Sequence, residues 1–183
     1  KVMCWVTLDR AQRVAEQFLG AARPAWSVIK EQIGQDVLAH GFKPAVGAFT
    51  ASYEDDQFDA AALFVGLSGL LPPDDPRFRG TVDAVERTLR DRNSVYRYRY
   101  PDGLPGGEGA FHLCTSWLIQ AYALIGRRRD ARELFETLAD AAGPTGLLTE
   151  EFDPATGCAW GNLPQAYSHL GLIDAAICLD ERS

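Results

Sequence analysis

Helices that are apolar nearly all round alternate along this chain with helices that carry one polar face, and that alternation limits the fold more than any other feature. The segment from about Asp59 to Leu70 reads Ala60, Ala61, Ala62, Leu63, Phe64, Val65 with hardly a polar side. A second such segment runs from Phe111 to Ile125, and a third follows Pro164 through Leu170, Ile173 and Ile177. Helices of this kind must be covered on most sides. Amphipathic helices lie between and around them. One has Pro24 in its first turn and sets Trp26, Ile29, Ile33 and Val37 against Lys30, Glu31, Gln35 and Asp36. Another is capped by Asp75, opened by Pro76 and runs to about Asp91, and a third is opened by Asp130 and buries Ala131, Leu134, Phe135 and Leu138. A further helix runs from about Val2 to Phe18 and stops before Gly20.

These seven helices form an internal repeat of helix pairs with a period of roughly 50 to 55 residues. An inner ring of buried helices alternating with an outer ring of half-exposed ones satisfies the pattern, so an all-α fold is expected, part of an α/α toroid. No strand pattern stands out beyond the loops. With 46% apolar residues, the 183-residue chain can bury one sizeable core, and residues 1–183 read as one portion of a single domain. Lys1 already lies inside an apolar periodic segment, which suggests a chain cut from something longer. The net charge is −7, and the longest basic run is Arg127, Arg128, Arg129, too short an electrostatic footprint for a nucleic acid. No stretch of about 18 apolar residues marks a membrane span, and no signal-peptide pattern opens the chain. A cytoplasmic protein is expected. Cys4, Cys114, Cys158 and Cys178 lack CxxC spacing and sit beside apolar or aromatic residues, which reads as buried free thiols.

The loops leading into the apolar helices are long and rich in acids, aromatics and glycine: Gly47 to Phe58, Asn93 to Ala110, and Gly143 to Leu163. Long loops in a compact domain carry function, so the chemistry is expected at the N-terminal ends of the inner helices. Several residues there have two readings. Glu150 and Glu151 are paired acids, and neighbours in an extended loop point in different directions, so the two do not flank one ligand together. Taken alone, Glu150 is a solvated acid or a cap. Glu108 lies in a glycine-rich turn where backbone can approach a ligand, although those glycines can serve only the turn. Asp59 contacts a ligand or caps its helix, and capping is the simpler role. Trp160 is better placed than Trp117 to stack on the flat face of a ligand, while Trp117 and His169 suit the core.

The run from Gly146 to Gly157 with Gly161-Asn-Leu-Pro-Gln-Ala-Tyr-Ser-His-Leu170 resembles the C-terminal signature of glycoside hydrolase family 15, which includes glucoamylases, glucodextranases and certain trehalases. Arg97-Tyr-Arg-Tyr-Pro-Asp-Gly-Leu-Pro-Gly-Gly-Glu-Gly-Ala-Phe111, with Cys114, Thr115 and Trp117, resembles the family's substrate-binding loop. Lys1-Val-Met-Cys-Trp-Val with Leu8, Asp9 and Arg10 resembles the helix after its acid-bearing loop. The resemblance spans nearly the whole chain and implies a six-fold double ring of helices that these residues leave open. It implies hydrolysis of an α-glucosidic bond with inversion, no cofactor, and either an α-glucan oligosaccharide or trehalose as substrate. By the same resemblance Glu150 takes the general-base position and Arg99 hydrogen-bonds sugar hydroxyls, with Arg97 a rival. The general acid is expected just before Lys1. Uncovered inner helices would then favour self-association. An inactive carbohydrate-binding or interaction module, or an inactive fragment, is the alternative reading.

Overall fold

The computed structural model describes residues 1–101, 103 and 107–180. Helix α1 (Val2–Leu19) ends where Gly20 turns left-handed, and α2 (Pro24–His40) returns along it. A short hairpin, β1 (Phe42–Lys43) with β2 (Ala48–Phe49), leads to a 3-10 turn (Ala60–Leu63) continued by α3 (Phe64–Leu67). Helix α4 (Pro76–Leu89) is followed by a second hairpin, β3 (Arg90–Asp91) with β4 (Ser94–Val95). Then come β5 (Ala110–Phe111), α5 (His112–Leu124), α6 (Arg128–Asp140), β6 (Glu151–Phe152), β7 (Ala159–Trp160) and α7 (Ala166–Asp180). The last three strands form one antiparallel sheet in the order β5-β6-β7. No described helix is long and apolar enough to cross a membrane.

Helix α5 is the centre of the core. It buries Cys114, Leu118, Ile119, Ala121 and Tyr122 and packs on α6, α7 and the 3-10 turn. Its buried hydroxyls are satisfied: Ser116 Oγ donates to the Leu113 carbonyl at 2.7 Å, Thr115 Oγ1 donates to the Phe111 carbonyl while accepting the Val95 N–H, both at 3.1 Å, and the Tyr122 hydroxyl accepts from Arg90 at 3.2 Å. Thr81 on α4 repeats the device, accepting the Phe49 N–H at 3.0 Å. A helix threonine thus pairs an otherwise orphaned strand N–H at each of two hairpins, as burial requires. The outer helices bury one face each. Phe78, Val82 and Val85 of α4 and Ala131, Leu134 and Leu138 of α6 point into the core.

Four local expectations change. The helix expected from Asp59 to Leu70 is a 3-10 turn plus a single α-turn. Asp59 does cap it, accepting the Ala61 N–H at 2.7 Å, but Gly66 must lie against the fully buried Phe78 ring and Gly69 turns to positive φ. The α6 helix starts at Arg128, so Asp130 sits inside its first turn and pairs with Arg127 at 2.5 Å instead of capping. The cysteines are free, yet only Cys114 is buried and Cys178 partly so. Cys4 and Cys158 are exposed, the first on the outward side of α1 and the second in the β6–β7 loop. Finally, α7 is covered on one side only: Gly171, Ala175 and Leu179 are buried, whereas Tyr167, Leu170, Ile173 and Ile177 form a stripe about half exposed.

A Cβ on Gly171 would overlap the Ser116 hydroxyl, so α5 and α7 approach as closely as glycine permits. Gly171→Ala is expected to cost about 1–3 kcal/mol by overpacking, measured as a lower urea midpoint with unchanged slope. Ser116→Ala in the same chain should recover part of the loss. The α7 stripe further predicts concentration-dependent association of this chain in light scattering; a monomer at high concentration would count against it.

Candidate functional site

The site is assembled on the β5-β6-β7 sheet and on the N-terminal ends of the inner helices. Phe111 faces Glu151 and Glu151 faces Trp160 across the two ladders, so these three side chains project to one face. Ala110, Phe152 and Ala159 take the other. The period of two then sends Glu150 and Glu151 in different directions, as the loop pattern predicts. Glu151 turns to the glycine-rich loop, where its Oε2 accepts the Gly109 N–H at 2.7 Å. Burial pushes its carboxyl above the usual range; the Gly109 N–H opposes this, and the nearby charges of Glu108 and Glu150 add to it.

Glu150 is held by its main chain and its side chain. Its carbonyl accepts the His112 N–H at 3.4 Å, at the first turn of α5, and its own N–H donates to the Asn162 carbonyl at 3.0 Å. Its Oε2 accepts from the Asn162 backbone N–H at 3.3 Å and from Asn162 Nδ2 at 2.9 Å. The base of α7 fixes the two residues before it. Ser168 Oγ donates to the Thr149 carbonyl at 2.7 Å, and the Leu148 N–H donates to His169 Nε2 at 3.2 Å. His169 Nδ1 therefore carries the proton and donates to the Gln165 carbonyl at 2.7 Å. His169 is the satisfied structural histidine that its apolar helix implies, yet what it satisfies is the loop carrying Glu150.

The remaining singled-out residues divide. Asp59 combines its cap with an ion pair to Arg97 at 3.6 Å and lines an open cavity of about 670 Å³ together with Tyr53, Glu54, Phe64 and Trp117. Trp117 meets Phe64 edge-on at 4.9 Å and is partly buried. Asp59, Arg97 and Glu108 all act electrostatically on the buried Cys114 thiol, whose burial raises its pKa. One arc therefore runs from Asp59 through Arg97 and Glu108 to Glu151 and Glu150. Arg99 lies beside the arc, 3.8 Å from Asp91 with its guanidinium over the Tyr96 ring at 4.1 Å. Trp160 is 43% exposed on the same sheet face as Glu151. Asp102, Leu104, Pro105 and Gly106 of the glycine-rich loop lie outside the described residues. Sequence reasoning gave no role to Gly161, Asn162, Thr149, Ser168 or His112. All but His112 stand inside the quoted signature, but nothing in the spacing shows that Gly161 and Asn162 fold back onto Glu150.

Comparison with known proteins identifies the family and the fold. The family profile for glycosyl hydrolases family 15 matches residues 1–177. A trehalase of Mycobacterium tuberculosis is 44% identical over 97% of this chain and 26% of its own length. A trehalase of Thermoplasma acidophilum is 39% identical over 99% of this chain and 32% of its own. The chain thus spans about a quarter to a third of the curated relatives it matches. A bacterial glucoamylase complexed with acarbose superposes over the whole chain and 33% of its own, with a TM-score of 0.79 at 16% identity. A second glycosidase gives a TM-score of 0.73 at 24% identity, covering 86% of this chain and 44% of that one. Both share the fold, and the glucoamylase-like (α/α)6 ring is the architecture to which these helices belong.

Beneath the sheet, His112 is buried with Nε2 3.5 Å from Thr149 Oγ1, and Thr149 Oγ1 donates to the Glu151 carbonyl at 2.8 Å. Burial lowers the imidazole pKa from 6.5 to about 4. The unfolded chain binds a proton that the folded chain refuses between those values, so stability falls as pH drops from about 6.5 to 4. The loss expected from His112 alone is about 3 kcal/mol. Urea titrations at pH 7 and pH 4.5 would show it, and His112→Gln should flatten that part of the pH dependence.

Proposed function

Because the chain belongs to glycosyl hydrolases family 15, we propose that it carries the base side of a glycosidase site that hydrolyses an α-glucosidic bond with inversion. The observation that carries this reading is the placement of Glu150, a carboxylate gripped from one side by the Gly161–Asn162 turn at the rim where the inner helices begin. Glu150 takes a proton from water. The water oxygen bonds to the anomeric carbon from the face opposite the leaving oxygen, and the glycosidic C–O bond breaks. A second carboxyl, across the sugar, gives its proton to the leaving oxygen. Inverting enzymes hold two such groups about 6.5–9.5 Å apart. Glu151 does not fill that second role, being next to Glu150 in the chain and turned to Gly109. We assign the acid to a segment outside these residues.

Trehalose is the substrate this reading favours, supported by relatives named trehalase that match over 97% or more of the chain. The end of an α-glucan oligosaccharide is the alternative. Around the sugar, Trp160 offers an aromatic face and Glu108 an acceptor beside Glu151. Arg99 supplies paired donors, because its long ion pair to Asp91, with both partners over two-fifths exposed, costs little to exchange for a ligand. Asp59, fixed by its cap, holds the far side of the arc through Arg97.

The 183-residue chain alone is expected to turn over neither trehalose nor maltooligosaccharides, since a base without its acid leaves the glycosidic oxygen unprotonated. Glucose release by the pure chain would refute that. In a polypeptide of full family length carrying these residues, Glu150→Gln should lower kcat by roughly 10²–10⁴ with little change in KM. Glu151→Gln should lower it far less, and the reverse ranking would move the base to Glu151.

A further inference from the structure

Glu150 and Asn162 are joined by three hydrogen bonds although twelve positions apart, and neither is part of the core. The Glu150 N–H donates to the Asn162 carbonyl, and both N–H donors of Asn162, backbone and amide, converge on a single oxygen, Oε2. Oε1 accepts from no described residue. Gly161 makes the convergence possible. It sits at φ +74°, and a Cβ there would lie 2.8 Å from Glu150 Cβ and 2.9 Å from Oε2, so any larger residue would push the turn off the carboxylate. Without an anchor, the terminal torsion of a glutamate is broad and its two oxygens exchange.

We propose that Asn162 is a positioning residue for the base: by fixing Oε2 it leaves Oε1 as the one atom that receives the proton of the attacking water. This rests on the assignment of Glu150 as general base. The proton passes from water to Oε1, the water oxygen bonds to the anomeric carbon, and Asn162 neither gains nor loses a proton. A hydrogen bond to a charged group misaligned by its loss costs about tenfold to a hundredfold in rate.

The test is a double-mutant cycle on trehalose hydrolysis in a polypeptide of full family length carrying these residues. Asn162→Ala should lower kcat about 10- to 100-fold with KM changed less than about twofold, and should leave the residual kcat of Glu150→Gln unchanged. Asn162 is exposed, so its truncation should not unfold the chain. An equal loss in both backgrounds, a rise in KM at constant kcat, or no effect would overturn the proposal. Full activity of Glu150→Gln would instead overturn the base assignment itself. In the 183-residue chain, independent of turnover, the Asn162 side-chain amide resonance should shift in Glu150→Ala and not in Glu151→Ala; an unmoved resonance counts against the contact.

Discussion

The burial of α5 on all but one narrow stripe is the constraint from which the rest of the structure follows. A helix whose residues Cys114, Thr115, Ser116, Leu118 and Ile119 are all enclosed leaves only Leu113, Trp117, Gln120 and Leu124 partly open to solvent. Its neighbours must therefore come close, and they do so where side chains are absent: Gly171 of α7 lies against Ser116. The same rule acts between α3 and α4, where Gly66 admits the Phe78 ring. Polar chemistry is thereby excluded from the body of the inner helices and confined to their ends. The α5 N-terminus, where His112 and Phe111 meet the sheet, is the end at which functional groups collect.

At that end the fold separates two adjacent carboxylates into different environments by strand geometry alone. Glu151, within β6, points to the face shared with Trp160 and is drawn into the Gly109 N–H, partly desolvated and beside Glu108. Glu150, one residue earlier, points away and meets the donors of Asn162. The division of labour argued for the pair needs no special residue chemistry. It needs a strand that starts between them and two separate donor sets, one from the loop before α5 and one from the loop before α7.

The ring architecture was legible in the sequence because burial imposes a period. Apolar α3, α5 and α7 alternate with amphipathic α4 and α6, and Asp75 and Pro76 mark a helix start to the residue. The family motifs then drew attention to the loop of Glu150, whose role as base is a proposal. Other features were illegible for physical reasons. The run Ala60–Val65 has helical periodicity, but whether it forms a 3-10 turn or a long helix depends on Phe78, a residue of another helix. The apolar composition of α7 says that it should be covered, not that the stripe of Leu170 and Ile173 is open. Asn162 reads as one more polar loop residue until the chain folds it back over Glu150.

The tie between α7 and the loop carrying Glu150 shows how packing reaches the proposed chemistry. Ser168 and His169 bind the backbone of Thr149 and Leu148, and the α5 N-terminus binds the Glu150 carbonyl. The position of Glu150 along the rim is thus set by the spacing of α5 and α7, which the Gly171–Ser116 contact keeps at its minimum. A shift in that contact moves two anchors of one loop together. Rigid-body displacement of the carboxylate by even about 1 Å is enough to cost a large factor in an oriented reaction. The small residues between the two inner helices are therefore as much part of the site's geometry as the acids at its rim, even though none of them touches a ligand.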